Sequence, residues 1–220
     1  KIKDYGSLSN RLTDDLISGS RVEVNTLKEN PLDFTLWKQT SEGLNFDSQF
    51  SKGRPGWHTE CVAMIDDIFG EKIDIHGGGT DLKFPHHENE IAQSKAIHNH
   101  SVANYWMHNG RLSFRDIKMS KSLGNSIFVK DVSEKMALRY FLLSTDYRAP
   151  LNYSDDSFAM YITEWLKLEN TLKSAFFKLD INNELIKKTD IANEEIQDAM
   201  SYFNSSMDND FNTANAITAV

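Results

Sequence analysis

Over the first thirty residues the apolar positions keep no sustained period. Leu8, Leu12 and Leu16 make a weak helical stripe, and residues 21–24 alternate as a short strand does. Residues 31–53 read as a loop-rich connection, with Phe34, Trp37, Phe46 and Phe50 expected to be buried as packing residues. A helix is predicted over 57–69, opened by Pro55-Gly56 and stopped by Gly70. Residues 72–76 alternate with Ile73 and Ile75 on one face, a strand pattern, and Gly77–Gly79 reads as a loop. Pro85 precedes a helix predicted over 86–97, then come a strand at 105–108, a turn and short strand at 111–117, and a Ser/Gly-rich loop at 118–125.

Further on, Asp131 with Glu134 three residues later spells a capping box, opening a helix that runs to about 144 through Met136, Tyr140 and Leu143. Long helices follow at 155–179 and 194–207, separated by a polar linker at 180–190. Trp165, Leu166, Leu168 and Leu172 are expected to form bundle core. Alternating strand and helix to about 150, then helix alone, makes an α/β domain followed by a helical region.

Charge changes this picture in one place. The chain of 220 residues carries a net −8, yet residues 111–148 hold eight Lys/Arg against four Asp/Glu, a local anion-binding stretch inside an acidic protein. A single cysteine excludes an internal disulfide framework and points to a reducing, cytoplasmic setting. No apolar run is long enough for a membrane span and no signal peptide is visible. The chain starts at Lys1 in what reads as mid-domain and ends at Val220 within a helix-like pattern, so a fragment is expected.

Candidate chemistry concentrates between Gly53 and Asn125. His86 and Glu90, four apart, share a helix face, and His87 with Glu90, three apart, serves as well. Cys61 lies on another predicted helix, so a Cys/His/Glu set offers zinc three donors and leaves a tetrahedral ion one short. Spacing alone leaves open a small buried thiol and a surface hydrogen-bonded pair. His76-Gly-Gly-Gly-Thr-Asp81 ends a predicted strand, the edge where doubly wound sheets bind ligands, and a plain turn is an equal reading. Lys118-Met-Ser-Lys121-Ser122 places two lysines three apart in a small-residue loop, able to direct two ammonium groups at one phosphate chain. His58 reads as a residue supporting a ligand rather than as a ligand, and His98 and His100 as surface residues.

Taken together these segments resemble the class I aminoacyl-tRNA synthetases, and among them the cysteinyl-tRNA synthetase family. The likeness rests on Lys118–Ser122, on Gly53-Arg-Pro-Gly-Trp-His-Thr-Glu-Cys61, and on His76 to Glu90. Trp106-Met-His-Asn-Gly110, Leu142 to Arg148 and Met207 to Thr213 extend it across the chain. The resemblance implies the C-terminal half of a Rossmann-like nucleotide fold followed by an α-helical bundle region. It implies residues 1–52 as the end of a connective insertion, 53–150 as the second half of the catalytic domain, and 151–220 as the start of a helical tRNA- and anticodon-binding region. A fourth zinc ligand and a His-Ile-Gly-His motif belong to the family's upstream half. This chain alone is expected to be incomplete as a catalyst.

By the same resemblance Cys61, His86 and Glu90 are zinc ligands and Trp57 walls the cysteine pocket. Lys118 and Lys121 are catalytic. Lys121, Gly77, Gly79, Asp81, His108 and Asn109 bind ATP, which arrives with Mg2+. The implied activity is ATP-dependent formation of cysteinyl-adenylate and transfer to tRNA(Cys), by a monomer. Two alternatives share these motifs: a cysteine:amino-sugar ligase of mycothiol synthesis, and a non-catalytic tRNA-binding paralogue.

Overall fold

The computed structural model describes residues 2–11, 28–179 and 193–220, without the side chains of Lys121 and Leu179. The expected stripe at Leu12 and Leu16, the strand at 21–24 and the linker at 180–190 lie outside the described residues. The chain forms two compact units, Lys1–His108 and Asn109–Val220. No helix among the described residues is long and apolar enough to cross a membrane.

In the first unit, β1 (Trp37–Gln39) and β2 (Gly53–Pro55) pair antiparallel, with Lys38 directly opposite Arg54. Phe46 and Phe50 beside this ribbon are exposed, contrary to the expectation of burial, whereas Phe34 and Trp37 are half-buried. Helix α1 (Trp57–Phe69) follows as expected and ends at Gly70, whose φ of 85° is left-handed and cheap only for glycine. Strand β3 (Ile73–Gly79) extends through the glycine triplet rather than ending before it. The reason is packing. A Cβ on Gly78 would meet the His87 ring at 2.8 Å, so the missing side chain makes room for that histidine against the strand.

A wide turn, Lys83–His87, with Phe84 extended, leads into α2 (Glu88–His98), so the helix starts two residues later than expected. Strand β4 (Ala103–Asn109) returns beside β3. The contacts Ile73 to Val102, Asp74 to Asn104 and Gly77 to Met107 advance together along both strands, so the pair is parallel and β3–α2–β4 is a crossover unit. A small apolar cluster of Ile65, Val102 and Ala103 packs beneath it. Most of the buried residues of α2 are polar. Glu88, Asn89, Glu90, Gln93 and Ser94 are all buried.

Glu88 explains part of that. Its carboxylate accepts backbone N–H groups from Gly6 (2.9 Å) and Ser9 (2.9 Å), while Tyr5 Oη donates to Asn89 Oδ1 and Lys95 pairs with Asp4. The segment around residues 4–9 is thereby fastened to the start of α2. His98 and His100 are half-buried rather than free on the surface. His98 lies 3.1 Å from Asp66 and His100 3.4 Å from Glu71.

In the second unit, β5 (Leu112–Phe114) pairs antiparallel with β6 (Ile117–Lys118) and parallel with β7 (Leu151–Tyr153). Arg115 and Asp116 take the left-handed turn between β5 and β6. Helix α3 (Lys135–Leu143) begins after Glu134 with no side-chain cap, so the expected Asp131 capping box does not form; Asp131 closes a short turn at Val129–Asp131 instead. Helix α4 (Asp155–Leu179) packs its first half on α3. The core is Val132, Ala137, Phe141, Tyr153 and Phe158, with Tyr161, Ile162 and Trp165 against it. Leu166 and Leu172, expected in the core, are exposed, because the buried face of α4 carries Phe158, Tyr161, Ile162 and Trp165 instead. Helices α5 (Glu194–Asp208) and α6 (Thr213–Thr218) are capped by the side chains of Asn193 and Asn212.

Candidate functional site

Four histidines, one cysteine and one glutamate meet in the first unit. The start of α1 supplies Trp57, His58 and Cys61, the turn before α2 supplies His86 and His87, α2 supplies Glu90 and β3 supplies His76. Donor atoms of Cys61, His86 and Glu90 all lie within 4.8 Å of one another, and so do those of His76, His87 and Glu90. Glu90 belongs to both sets, and its two oxygens differ. Oε2 lies 2.6 Å from His76 Nε2 in a hydrogen bond. Oε1 is buried, lies 2.9 Å from His86 Nε2, and meets no well-directed hydrogen-bond donor among the described residues. A buried carboxylate oxygen without a donor costs stability unless a cation meets it. Oε1 faces the set containing the thiol, with Cys61 Sγ 3.6 Å from His86 Nε2.

The electrostatics agree with this assignment. Burial, then the charge of Glu90, pushes the Cys61 thiol up to about 11. Burial also opposes ionisation of Glu90, but the hydrogen bond from His76 and the neighbouring His86 and His87 hold its carboxyl below the ordinary value. Glu90 is therefore an anion beside a thiol whose ionisation it opposes. A divalent cation between them reverses that opposition, and thiolate, imidazole and carboxylate are the donor types zinc takes.

Neighbouring groups fix the imidazoles. His58 Nδ1 lies 2.7 Å from His86 Nδ1, which leaves His86 Nε2 facing Cys61 and Glu90. His87 Nδ1 pairs with His108 Nε2 at 2.8 Å, and burial drops His87 to about 4, so this histidine is neutral. Trp57 stacks on His86 with centroids 4.2 Å apart. The structure thus brings Cys61, His86, Glu90 and Trp57 together and sets His108 against the cluster through His87. His76 was not legible as a partner of Glu90. Its only sequence signal was its place at the head of the glycine triplet. Gly77 and Gly79 lie on β3, and a Cβ on Gly79 would meet Asp81 Oδ1 at 2.5 Å, so that carboxylate folds back over the strand end. Asp81 and Asn109 are exposed.

The lysine loop lies in the second unit. Lys118 ends β6 and is exposed; Met119 packs on the apolar core; Lys121 starts a short turn, and its side chain lies outside the described residues. Asn125 staples the loop, accepting from Ser120 N (2.9 Å) and donating to Lys118 O (3.1 Å).

A crystal structure of a ternary complex of Agrobacterium radiobacter K84 agnB2 LeuRS with tRNA and LeuAMS is similar in fold, with a TM-score of 0.52 over 66% of this chain and 21% of that one, at 22% identity. That likeness speaks for the architecture, a class I synthetase nucleotide fold. The family model for the tRNA synthetases class I (C) catalytic domain matches residues 1–162, and the chain belongs to that family. Among curated relatives, a cysteine–tRNA ligase of Acholeplasma laidlawii is 49% identical over 223 aligned residues, covering 100% of this chain and 50% of that protein. One from Exiguobacterium sibiricum is 47% identical over 220, covering 98% and 47%. The chain spans about half the length of the curated relatives it matches.

Proposed function

We propose that this chain forms the cysteine-selecting and lysine-loop part of a cysteine–tRNA ligase, which converts cysteine and ATP-Mg2+ to cysteinyl-adenylate and passes the cysteinyl group to tRNA(Cys). The observation that carries the reading is Glu90 Oε1, buried beside Cys61 and His86 with no well-directed hydrogen-bond donor among the described residues. Residues 1–52 end the connective insertion, 53–150 complete the nucleotide domain, and 151–220 begin the tRNA-binding helices. The protein works as a cytoplasmic monomer.

Cys61, His86 and Glu90 would hold the metal, offering it thiolate, imidazole and carboxylate, the donor types zinc takes. Bound zinc supplies selection of a thiolate over the harder, less acidic hydroxyl of serine. With its proton on Nδ1, toward His58 Nδ1 2.7 Å away, His86 would offer Nε2 to the metal. Trp57, stacked on His86, walls the side-chain pocket. The carboxylate of cysteine attacks the α-phosphorus of ATP and pyrophosphate leaves. Lys118 and Lys121 neutralise the phosphate charge that develops, and Asn125 holds their loop in shape. Asp81 accepts from the ribose hydroxyls, the Gly77 and Gly79 backbone lets the nucleotide approach β3, and His108 and Asn109 lie on the adenine side. A terminal ribose hydroxyl of tRNA then takes the cysteinyl group.

The test is cysteine-dependent exchange of pyrophosphate into ATP by the intact protein, followed by charging of tRNA and of an amino-sugar side by side. Exchange with cysteine and not serine, with charging of tRNA, supports the proposal. Charging of the amino-sugar alone, or no exchange, removes it.

A further inference from the structure

The turn that carries His86 and His87 is irregular. Over Lys83–His87 the winding is wide and Phe84 is extended, and α2 becomes regular only from Glu88. A metal site holds its donors to within about 0.2 Å of their bonding distances, so support for this turn has to come from outside it.

That support comes from residues 4–11, which grip the turn on both sides of His86. Before it, the Tyr5 ring meets the Phe84 ring edge-on at 6.3 Å, and the Arg11 guanidinium lies 4.8 Å from the centre of the same ring. After it, Glu88 accepts the N–H groups of Gly6 and Ser9 at 2.9 Å, one on each carboxylate oxygen, with Leu8 N 3.4 Å from Oε1. Beside it Tyr5 Oη donates to Asn89 Oδ1, and further along the helix Lys95 pairs with Asp4. The spacing divides the work. His86 and Glu90, four apart, turn toward Cys61, while Glu88 and Asn89 between them turn toward the upstream segment.

Both partners are prepared for this contact. Gly6 takes a φ of 99°, and a Cβ there would sit 2.2 Å from Arg11 O. Arg11 N and Ser9 Oγ both donate to Gly6 O, at 3.0 and 3.2 Å. The closed loop aims the amides of residues 6, 8 and 9 at one carboxylate, as backbone nests do for anions. Burial, then the charge of Glu88, pushes the Tyr5 phenol up to about 12, so it is a neutral donor. Glu88 and Asn89 are themselves buried. Without the segment they would lack partners, and a movement that returned them to water would carry His86 and Glu90 with it.

We propose that residues 4–11 are a clamp on the metal site, in which Glu88 and Tyr5 are positioning residues that hold His86 and Glu90 toward Cys61 and so set zinc retention and the affinity for cysteine. This inference rests on the metal assignment made above and adds the residues that keep its donors in place.

The test is zinc release from the intact protein to a chromophoric chelator. Glu88→Gln keeps the side chain's size but has one oxygen for amides that converge on two. It should release zinc at least about tenfold faster, the range for groups that support metal ligands. Tyr5→Phe keeps the ring on Phe84 and loses only the bond to Asn89, and it should release zinc severalfold faster. In the cobalt-substituted protein both changes should alter the visible absorption bands, which report donor geometry. In pyrophosphate exchange with excess zinc both should raise KM for cysteine and leave KM for ATP unchanged. Val102→Ala thins the apolar cluster beneath β3 and β4 and controls for general loosening. It should lower the melting temperature and leave the release rate and the cobalt bands as in the wild type. Equal acceleration by Val102→Ala at the same stability overturns the proposal, because the contact is then packing alone. If Glu88→Gln does not fold, Tyr5→Phe decides by itself. If Cys61→Ser empties the site while the clamp variants release zinc at the wild-type rate, the clamp fails and the metal assignment stands. If release follows the clamp but the wild type shows no cysteine-dependent exchange, the functional reading fails and the clamp stands. A wild type that holds no zinc overturns the clamp and the metal assignment together.

Discussion

The two units bury different kinds of interior. Around α2 the inside is polar: Glu90 and Ser94 are 0% exposed, Glu88 1%, and His87 2%. Around α3 it is apolar, with Ala137 at 0% and Phe141 at 1%, and rings of Tyr153, Phe158 and Tyr161 within 6.2 Å of Phe141. An apolar interior is held by area removed from water and by dense packing, and it tolerates no titration. A polar interior holds only while every donor and acceptor is met, so it is tied to whatever completes it. Glu88 is completed by the backbone of residues 6 and 9, and Glu90 Oε2 by His76. Glu90 Oε1 meets no well-directed donor among the described residues, and the proposed metal would complete it. The first unit should therefore depend on metal where the second does not.

The largest effect should come from breaking the polar interior. Cys61→Ser is expected to lower bound zinc from about one per chain by at least tenfold on metal analysis, since ligand identity and count set the site. Full zinc occupancy in that variant would sink the ligand assignment. Chelating zinc from the wild type should speed amide exchange in α2 and β3 and leave α3 and the start of α4 unaltered; uniform loosening of both units would erase the contrast.

Next comes the apolar interior. Phe141→Ala removes a fully buried ring and should destabilise the second unit by about 3–5 kcal/mol in denaturant titration, with zinc content retained. Loss of zinc in this variant would mean the units are not separable in this way.

Lys121→Ala tests the loop that rests on that apolar core through Met119. It should lower the exchange rate about 10²–10³-fold, the range for removing a charge-stabilising donor, while zinc content holds. An exchange rate equal to wild type removes Lys121 from the mechanism.

The smallest effect lies at an exposed contact of the second unit. Asp210 accepts from Arg148 Nε (2.6 Å) and Tyr147 Oη (3.1 Å), and the Arg148 contact holds its carboxyl below the ordinary carboxylate value. A lowered carboxyl stabilises above its ordinary titration range, and that contribution is lost as pH falls through the lowered one. The melting-temperature gap between wild type and Asp210→Asn should accordingly be small at pH 7 and close below pH 4. A gap that widens in acid counts against the pairing.

Much of this contrast was legible in the chain, for different reasons in each unit. In the second unit apolar spacing placed α3 and α4, although it misjudged α3's start. The Asp131–Glu134 box is a local preference, and the chain gave those residues to a separate turn at Val129–Asp131. In the first unit periodicity had little to report for α2, because its buried residues are mostly Glu, Asn, Gln and Ser, with only Ile91 and Ala92 apolar among them, and make no apolar stripe. There the motifs spoke instead, since chemistry needs particular atoms at particular places. His86 and Glu90 were readable as a pair because helical geometry puts i and i+4 on one face.

By itself, then, the sequence determined the elements with an apolar period, the resemblance to class I synthetases, and the identities of the candidate donors. Tertiary structure alone decided which donors meet and in what state. Cys61 meets His86 across 25 residues, His76 takes one oxygen of Glu90 while the other faces His86, and Glu88 catches a backbone 82 residues upstream. Lys38 and Arg54 came face to face in the same way, through the register of a ribbon. Local sequence fixes spacing along one element, but the distance between atoms on different elements follows from how those elements pack, and hydrogen bonds, metal sites and charge pairs depend on that distance.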